Sequence, residues 1–205
     1  MKTGEELLEI RRKILHLLFG VSVAALLWLN VIDGIFLLAT SFLILAFFLL
    51  FKEHKASLPF FHRLVRLFER EKHFHKSPGT SAIWFFFGCA ITALFFSRPI
   101  AVASIIILAF GDTFSNLIGH HWGRITTIFH PKKKIEGPIA AIFLSTLVAG
   151  FFVDFRAAFL ASTVAMILEF PNWKILGWRI DDNLIIPFSA ALTLLFCERV
   201  LGILL

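Results

Sequence analysis

Charge is scarce in this chain. Of its 205 residues only 17% are Asp, Glu, Lys or Arg, while 58% are hydrophobic and 26 are phenylalanine. A soluble domain of this size needs more polar surface than that to cover itself. Cysteine is nearly absent as well: Cys89 and Cys197 lie inside apolar runs, form no metal-ligand spacing and give no sign of a disulfide framework. They read as small core residues. Also missing are a Walker-type P-loop, GxSxG, CxxC and a Ser-His-Asp order, so any nucleotide chemistry here does without a standard P-loop. There is no internal repeat and no low-complexity segment.

What the chain has instead is long apolar blocks. Hydropathy marks seven spans, at about 14–29, 31–51, 82–97, 100–118, 138–153, 157–170 and 184–203. The expected fold is all-α: a polytopic integral membrane protein of about seven transmembrane helices, forming one domain over residues 1–205. The segments 138–153 and 157–170 are short for a crossing and suit either short helices within the bundle or a re-entrant hairpin. Lys2, Arg11, Arg12 and Lys13 before an apolar stretch imitate a signal peptide, but no small-residue cleavage site closes that stretch, so a retained first helix is expected. With a cytoplasmic N-terminus, the inside segments 1–13, 52–81, 119–137 and 171–183 hold 17 of the 20 Lys and Arg, which satisfies the positive-inside rule. Only Arg98, Arg156 and Arg199 fall outside. The net charge of +6 thus belongs beside lipid headgroups, and nucleic acid is not an expected partner. In Ser57–Lys72, Leu58, Phe61, Leu64, Val65 and Phe68 recur at helical spacing among basic residues, as in a cytoplasmic-side interfacial helix.

Four inside-facing segments carry more polarity than anchoring requires. Gly111–Gly137 places Asp112 directly after an apolar run, where an acid needs a cation, a metal or hydrogen-bond donors as partner. Gly111, Gly119 and Gly123 permit close backbone approach, and Arg124, Lys132, Lys133 and Lys134 supply positive charge, a combination suited to polyphosphate and Mg²⁺. Asp181, Asp182 and Asn183 precede the last span, either as hard-cation ligands or as a helix cap at Asp182 or Asn183, and the two roles can coexist. Glu169, ending a span before Pro171, favours the ligand role. Near the N-terminus Glu9, Arg12, Lys13 and His16 share one helical face, with His16 one turn inside the apolar run as a phosphate contact or a bonded core residue. His73, His75, Lys76 and Gly79 precede the third span; the two histidines alone are weak metal evidence, and Lys76 with Gly79 suits a headgroup or phosphate contact.

In this order the segments resemble the CTP-dependent membrane lipid kinases, which include dolichol kinase, phytol kinase and CTP-dependent diacylglycerol kinase. The resemblance covers most of the chain. It runs through Glu9, Arg12, Lys13 and His16, then Gly79 and Thr80, then Gly111, Asp112, Thr113, Gly119 and Gly123. It continues through Lys133, Glu136 and Gly137, and ends at Glu169, Pro171, Asp181, Asp182, Asn183 and Pro187. The chain departs from the family at Ser115 and Asn116, which are more polar than the small residues usual there. The related CTP:phosphatidate cytidylyltransferases have stretches similar to Asp112–Thr113 and Pro131–Gly137, but their lysine-rich and HGG-containing tail is absent.

The resemblance implies transfer of the γ-phosphoryl group of CTP to a lipid alcohol (a polyprenol, a phytol-like prenol or diacylglycerol) at the cytoplasmic face. It implies Mg²⁺ on Asp112 with Asp181 and Glu169, and catalytic roles for Asp112, Lys133, Glu136, Asp181 and Asp182. Phosphate binding would involve Arg12, Lys13, His16, Gly111, Thr113, Gly119, Gly123, Lys132, Gly137 and Asn183, with Glu136 orienting a lysine or the metal's water. Two other classes stand beside this: a cytidylyltransferase that activates a lipid phosphate, and, more remotely, a small-solute transporter. A transporter calls for polar residues along several spans, whereas these cluster at the span ends.

Overall fold

Each of the seven apolar blocks forms one helix in the computed structural model, which describes residues 4–53, 80–126, 134–171, 173–175 and 178–202. The helices are α1 (Gly4–Trp28), α2 (Gly34–Glu53), α3 (Thr80–Phe95), α4 (Arg98–His121), α5 (Glu136–Ala149), α6 (Phe155–Leu168) and α7 (Asp182–Arg199). The first starts well before residue 14, because a helix can carry charge in its first turns where a hydropathy window cannot. It stops at Asn30, whose φ of 59° takes the left-handed position after the helix. There Val31 N–H donates to Leu26 O and Asn30 N–H to Leu27 O, the Schellman pattern that satisfies terminal carbonyls. Asp33 then caps α2 by accepting from Phe36 N–H at 2.7 Å.

The segments 138–153 and 157–170 are both helices, α5 and α6, of 14 residues each and packed on one another. At 1.5 Å per residue each spans about 21 Å, less than a hydrocarbon core of about 30 Å. Asp154 separates them by accepting from Arg156 N–H and Ala157 N–H. One part of the architecture is not helical: β1 (Lys174–Ile175) and β2 (Trp178–Arg179) pair as a minimal antiparallel hairpin between α6 and α7. Apart from this two-residue pairing the fold is all-helical, as expected. Two-residue strands leave no periodic signal to read, and Trp173 anchors the hairpin by donating from its indole to Leu168 O. The interfacial helix expected over Ser57–Lys72 lies outside the described residues, as do His73, His75, Lys76 and Gly79.

α4 is the hub, touching α1, α3, α5, α6 and α7, while α2 packs on α3. It is long and apolar enough to cross a membrane, and it is largely buried by its neighbours. Small residues make its contacts. A Cβ on Gly20 would collide with Ala109 and one on Gly137 with Ser115 O, so α1 and α5 approach α4 more closely than any side chain allows. The bundle is packed with its small residues inward. Ala141, Ser145 and Ala149 of α5, and Ala157, Ala161 and Ala165 of α6, are buried. The large residues Ile139, Phe143 and Leu147 of α5, and Phe188, Leu192 and Phe196 of α7, point outward at helical spacing. Three buried hydroxyls are satisfied within their own helices: Thr92 donates to Gly88 O, Ser104 to Ile100 O and Ser145 to Ala141 O.

Candidate functional site

Asp112 has its partner. The Lys13 ammonium donates to both carboxylate oxygens, at 2.8 and 2.7 Å, from a helix 99 residues away in sequence. α1 and α4 run antiparallel with Gly20 against Ala109, and this close contact brings Lys13 level with Asp112. Both side chains are nearly buried. Asn116, one turn on, donates its amide to Asp112 Oδ1 at 3.0 Å and to the Asp112 carbonyl at 2.8 Å. Thr113 ties the two helices together by donating to Lys13 O at 3.2 Å. His16 Nε2 lies 3.6 Å from Asp112 Oδ2, buried and without a hydrogen-bond partner, and its ring meets Phe85 edge-on at 5.0 Å between centroids. A carboxylate buried with an ammonium and an amide is a costly arrangement that persists only when every charge is matched.

The other expected residues divide into those at the same end of the bundle and those already occupied. Arg12 is paired with Glu9 at 2.8 Å. Glu136 accepts from Arg124 N–H at 2.7 Å and Ile125 N–H at 3.0 Å, closing the turn after α4. These donors, Arg124 N–H first, hold its carboxyl below the usual glutamate value. The turn is closed again by Ile135 N–H on Ile125 O and by the bridge between Thr126 and Lys134. Lys132 and Lys133 lie outside the described residues.

The glycines expected to admit a ligand lie close against other parts of the chain. Gly119 and Gly137 face each other where α4 meets α5, Gly111 abuts Met166 of α6, and Gly123 is crowded by Gly119 O and Lys134. Asp181, rather than Asp182 or Asn183, is the cap of α7: its Oδ1 accepts from Asn183 N–H at 3.0 Å and from the Asn183 side chain at 2.7 Å. Asp182 occupies the first turn. Pro187 has no N–H for the Asn183 carbonyl, which instead lies against Gly88 of α3. Glu169 is buried at the C-cap of α6. Among the described residues Asp112, Glu169 and Asp181 form no three-donor metal group. One carboxylate does fit Mg²⁺ that arrives with a polyphosphate, since that ion takes one or two protein carboxylates and keeps phosphate and water as its other ligands. The residue sequence reasoning undervalued is Asn116. Its position four after Asp112, on the same helical face, was the available signal.

Together these features define a helical bundle, with seven helices among the described residues and a matched buried charge cluster at one end, where α1 and α4 meet. No family model matches the chain, and no solved structure does. The chain is 31% identical over 184 residues to an uncharacterised protein of Methanocaldococcus jannaschii, covering 89% of this chain and 91% of that one. It is 28% identical over 203 residues to phytol kinase of Synechocystis sp., covering 90% of this chain and 77% of the relative. Over 119 residues it is 29% identical to CTP-dependent diacylglycerol kinase 1 of Saccharomyces cerevisiae, covering 55% of this chain and 40% of that protein. The kinase-named relatives, at 28–29% identity, support membership of the CTP-dependent lipid kinase family.

Proposed function

We propose that this protein is a single-domain, membrane-embedded lipid kinase that moves the γ-phosphoryl group of CTP to a lipid alcohol. The observation that carries the reading is the Lys13–Asp112 pair, a buried ammonium and carboxylate at the end of the bundle that also holds Arg12, Glu136, Glu169 and Asp181. Phosphoryl transfer asks a protein for positioning and charge neutralisation more than for covalent help, and this cluster offers both signs of charge in a dry setting. In the reaction the lipid hydroxyl oxygen bonds to the γ-phosphorus as the bond to the β–γ bridging oxygen breaks. CDP leaves, and the hydroxyl proton passes to a neighbouring base or to water. Lys13, Arg12 and the lysines of 132–134 are the candidates to hold phosphate oxygens. Asp112 would be the residue to hold Mg²⁺, and Mg²⁺ would supply charge neutralisation at the phosphates. Asp181, Asp182 and Asn183 stand at the N-terminus of α7, an end that favours anions.

The membrane setting is supported by the outward stripes of Phe, Leu and Ile, which water would penalise and acyl chains would not. The seven helices would then cross the bilayer with the N-terminus and the basic segments on the cytoplasmic side. The test is a transfer assay on purified protein, crossing γ-labelled CTP and ATP with lipid alcohols and lipid phosphates. The expected products are labelled lipid phosphate and CDP. Pyrophosphate released from a lipid phosphate would mark a cytidylyltransferase, and no transfer to any alcohol would overturn the kinase reading.

A further inference from the structure

The two oxygens of the Asp112 carboxylate are not equivalent. Oδ1 accepts twice, from Lys13 Nζ at 2.8 Å and from the Asn116 amide at 3.0 Å. Oδ2 accepts once, from Lys13 Nζ at 2.7 Å. The other polar group beside Oδ2, His16 Nε2, stands 3.6 Å away and makes no hydrogen bond. A carboxylate oxygen has two lone pairs, so Oδ1 is filled and Oδ2 keeps acceptor capacity. Nor is the side chain sealed, since 13% of it remains accessible.

The two donors also differ in origin. Lys13 reaches Asp112 from α1, on a flexible four-carbon stem with rotatable donors. Asn116 stands one turn along α4 itself, and its amide nitrogen is bonded twice within that helix, to Asp112 Oδ1 and to the Asp112 carbonyl oxygen at 2.8 Å. Amide and carboxylate thus form a unit that α4 builds alone. The unit fixes the rotation of the carboxylate and turns Oδ2 away from the amide. Because the amide is neutral, it does so without cancelling the carboxylate's charge, as a second ammonium would.

We propose that Asn116 is a positioning residue: by occupying Oδ1 it presents Oδ2 as the oxygen for the divalent cation of the nucleotide. This inference rests on the lipid-kinase reading and adds the residue that orients Asp112. Hydrogen-bond partners that orient a ligating side chain are typically worth about 10–100-fold in metal affinity.

The test is equilibrium dialysis of labelled CTP against the full chain in detergent, without any acceptor, in Mg²⁺ and again in EDTA. The unaltered chain is expected to bind CTP more tightly in Mg²⁺. Asn116→Leu keeps a branched side chain but no donor, and it is expected to lose about tenfold of affinity in Mg²⁺ and none in EDTA. Asn116→Gln, whose amide can meet a carboxylate one turn back on the same helix, is expected to recover part of that loss. Ser104→Ala removes another hydrogen bond internal to α4, away from the charge cluster, and is expected to leave both affinities alone. A merely structural Asn116 would show equal losses in Mg²⁺ and EDTA with a lower unfolding temperature, and that result overturns the inference. So does an Asn116→Leu protein that keeps the full Mg²⁺ gain, or an unaltered chain that shows no gain. Each of these leaves the kinase reading standing, because that reading falls only if the unaltered chain phosphorylates no lipid alcohol.

Discussion

At the scale of single residues, the Lys13–Asp112 pair sets the sharpest expectation. Removing one member leaves the other charge buried without a match, so Lys13→Met is expected to cost about 3–5 kcal/mol in detergent unfolding. The double variant Lys13→Met/Asp112→Leu replaces the pair with apolar volume and is expected to regain most of that stability with no phosphoryl transfer. Equal instability of the single and double variants would mean the pair is not energetically coupled. Asp112→Asn tests the chemistry alone: it is expected to lower transfer at least a hundredfold, about 2.7 kcal/mol of transition-state stabilisation. A fully active Asp112→Asn protein would remove Asp112 from the site. Glu136 gives a pH dependence. Its folded value lies below the ordinary 4.5, so its contribution is fully present above that value and is lost as pH falls through the lower folded one. Glu136→Gln is therefore expected to flatten that acid limb in thermal unfolding, and an unchanged limb would show that the turn does not depend on the carboxylate.

At the scale of elements, the helices were legible and their partners were not. Long apolar blocks separated by charge mark helices in any setting, and all seven appear where hydropathy puts them. Asp112 was legible as an acid needing a partner, because an acid at the edge of an apolar run is costly by itself. Its pairing with Lys13 was not, since 99 residues separate them and only the α1–α4 packing joins them. The glycines illustrate the same limit. A missing Cβ signals close approach but not what approaches, and here it is mostly another helix. Gly137→Val is accordingly expected to force α5 away from Ser115 and to destabilise the bundle by about 1–3 kcal/mol, read as a lower unfolding temperature. If Gly137 contacted phosphate instead, the same variant would raise the KM for CTP at unchanged stability. The cap of α7 was legible to within one residue, because Asp181, Asp182 and Asn183 all suit that position and only backbone geometry selects among them.

At the scale of the whole molecule, sidedness connects fold and function. The alternating helices put Lys13, Asp112, Glu136, Glu169 and Asp181 at one end, and Asp33, Arg98, Asp154 and Arg156 at the other. A membrane-embedded kinase supplied with CTP from the cytoplasm must present the first end to that side. The protein is suited to a thiol-labelling test, because Cys89 and Cys197 are both buried and free. Single cysteines at Arg124 and Arg156, both exposed, would report the two ends. In sealed vesicles with the cytoplasmic face outward, a membrane-impermeant thiol reagent is expected to label position 124 at once and position 156 only after detergent is added. The reverse order would place the charge cluster on the side without CTP and end the kinase reading. Labelling of both positions without detergent would mean that the bundle does not cross the bilayer. The outward phenylalanines would then need a protein partner to cover them instead of lipid.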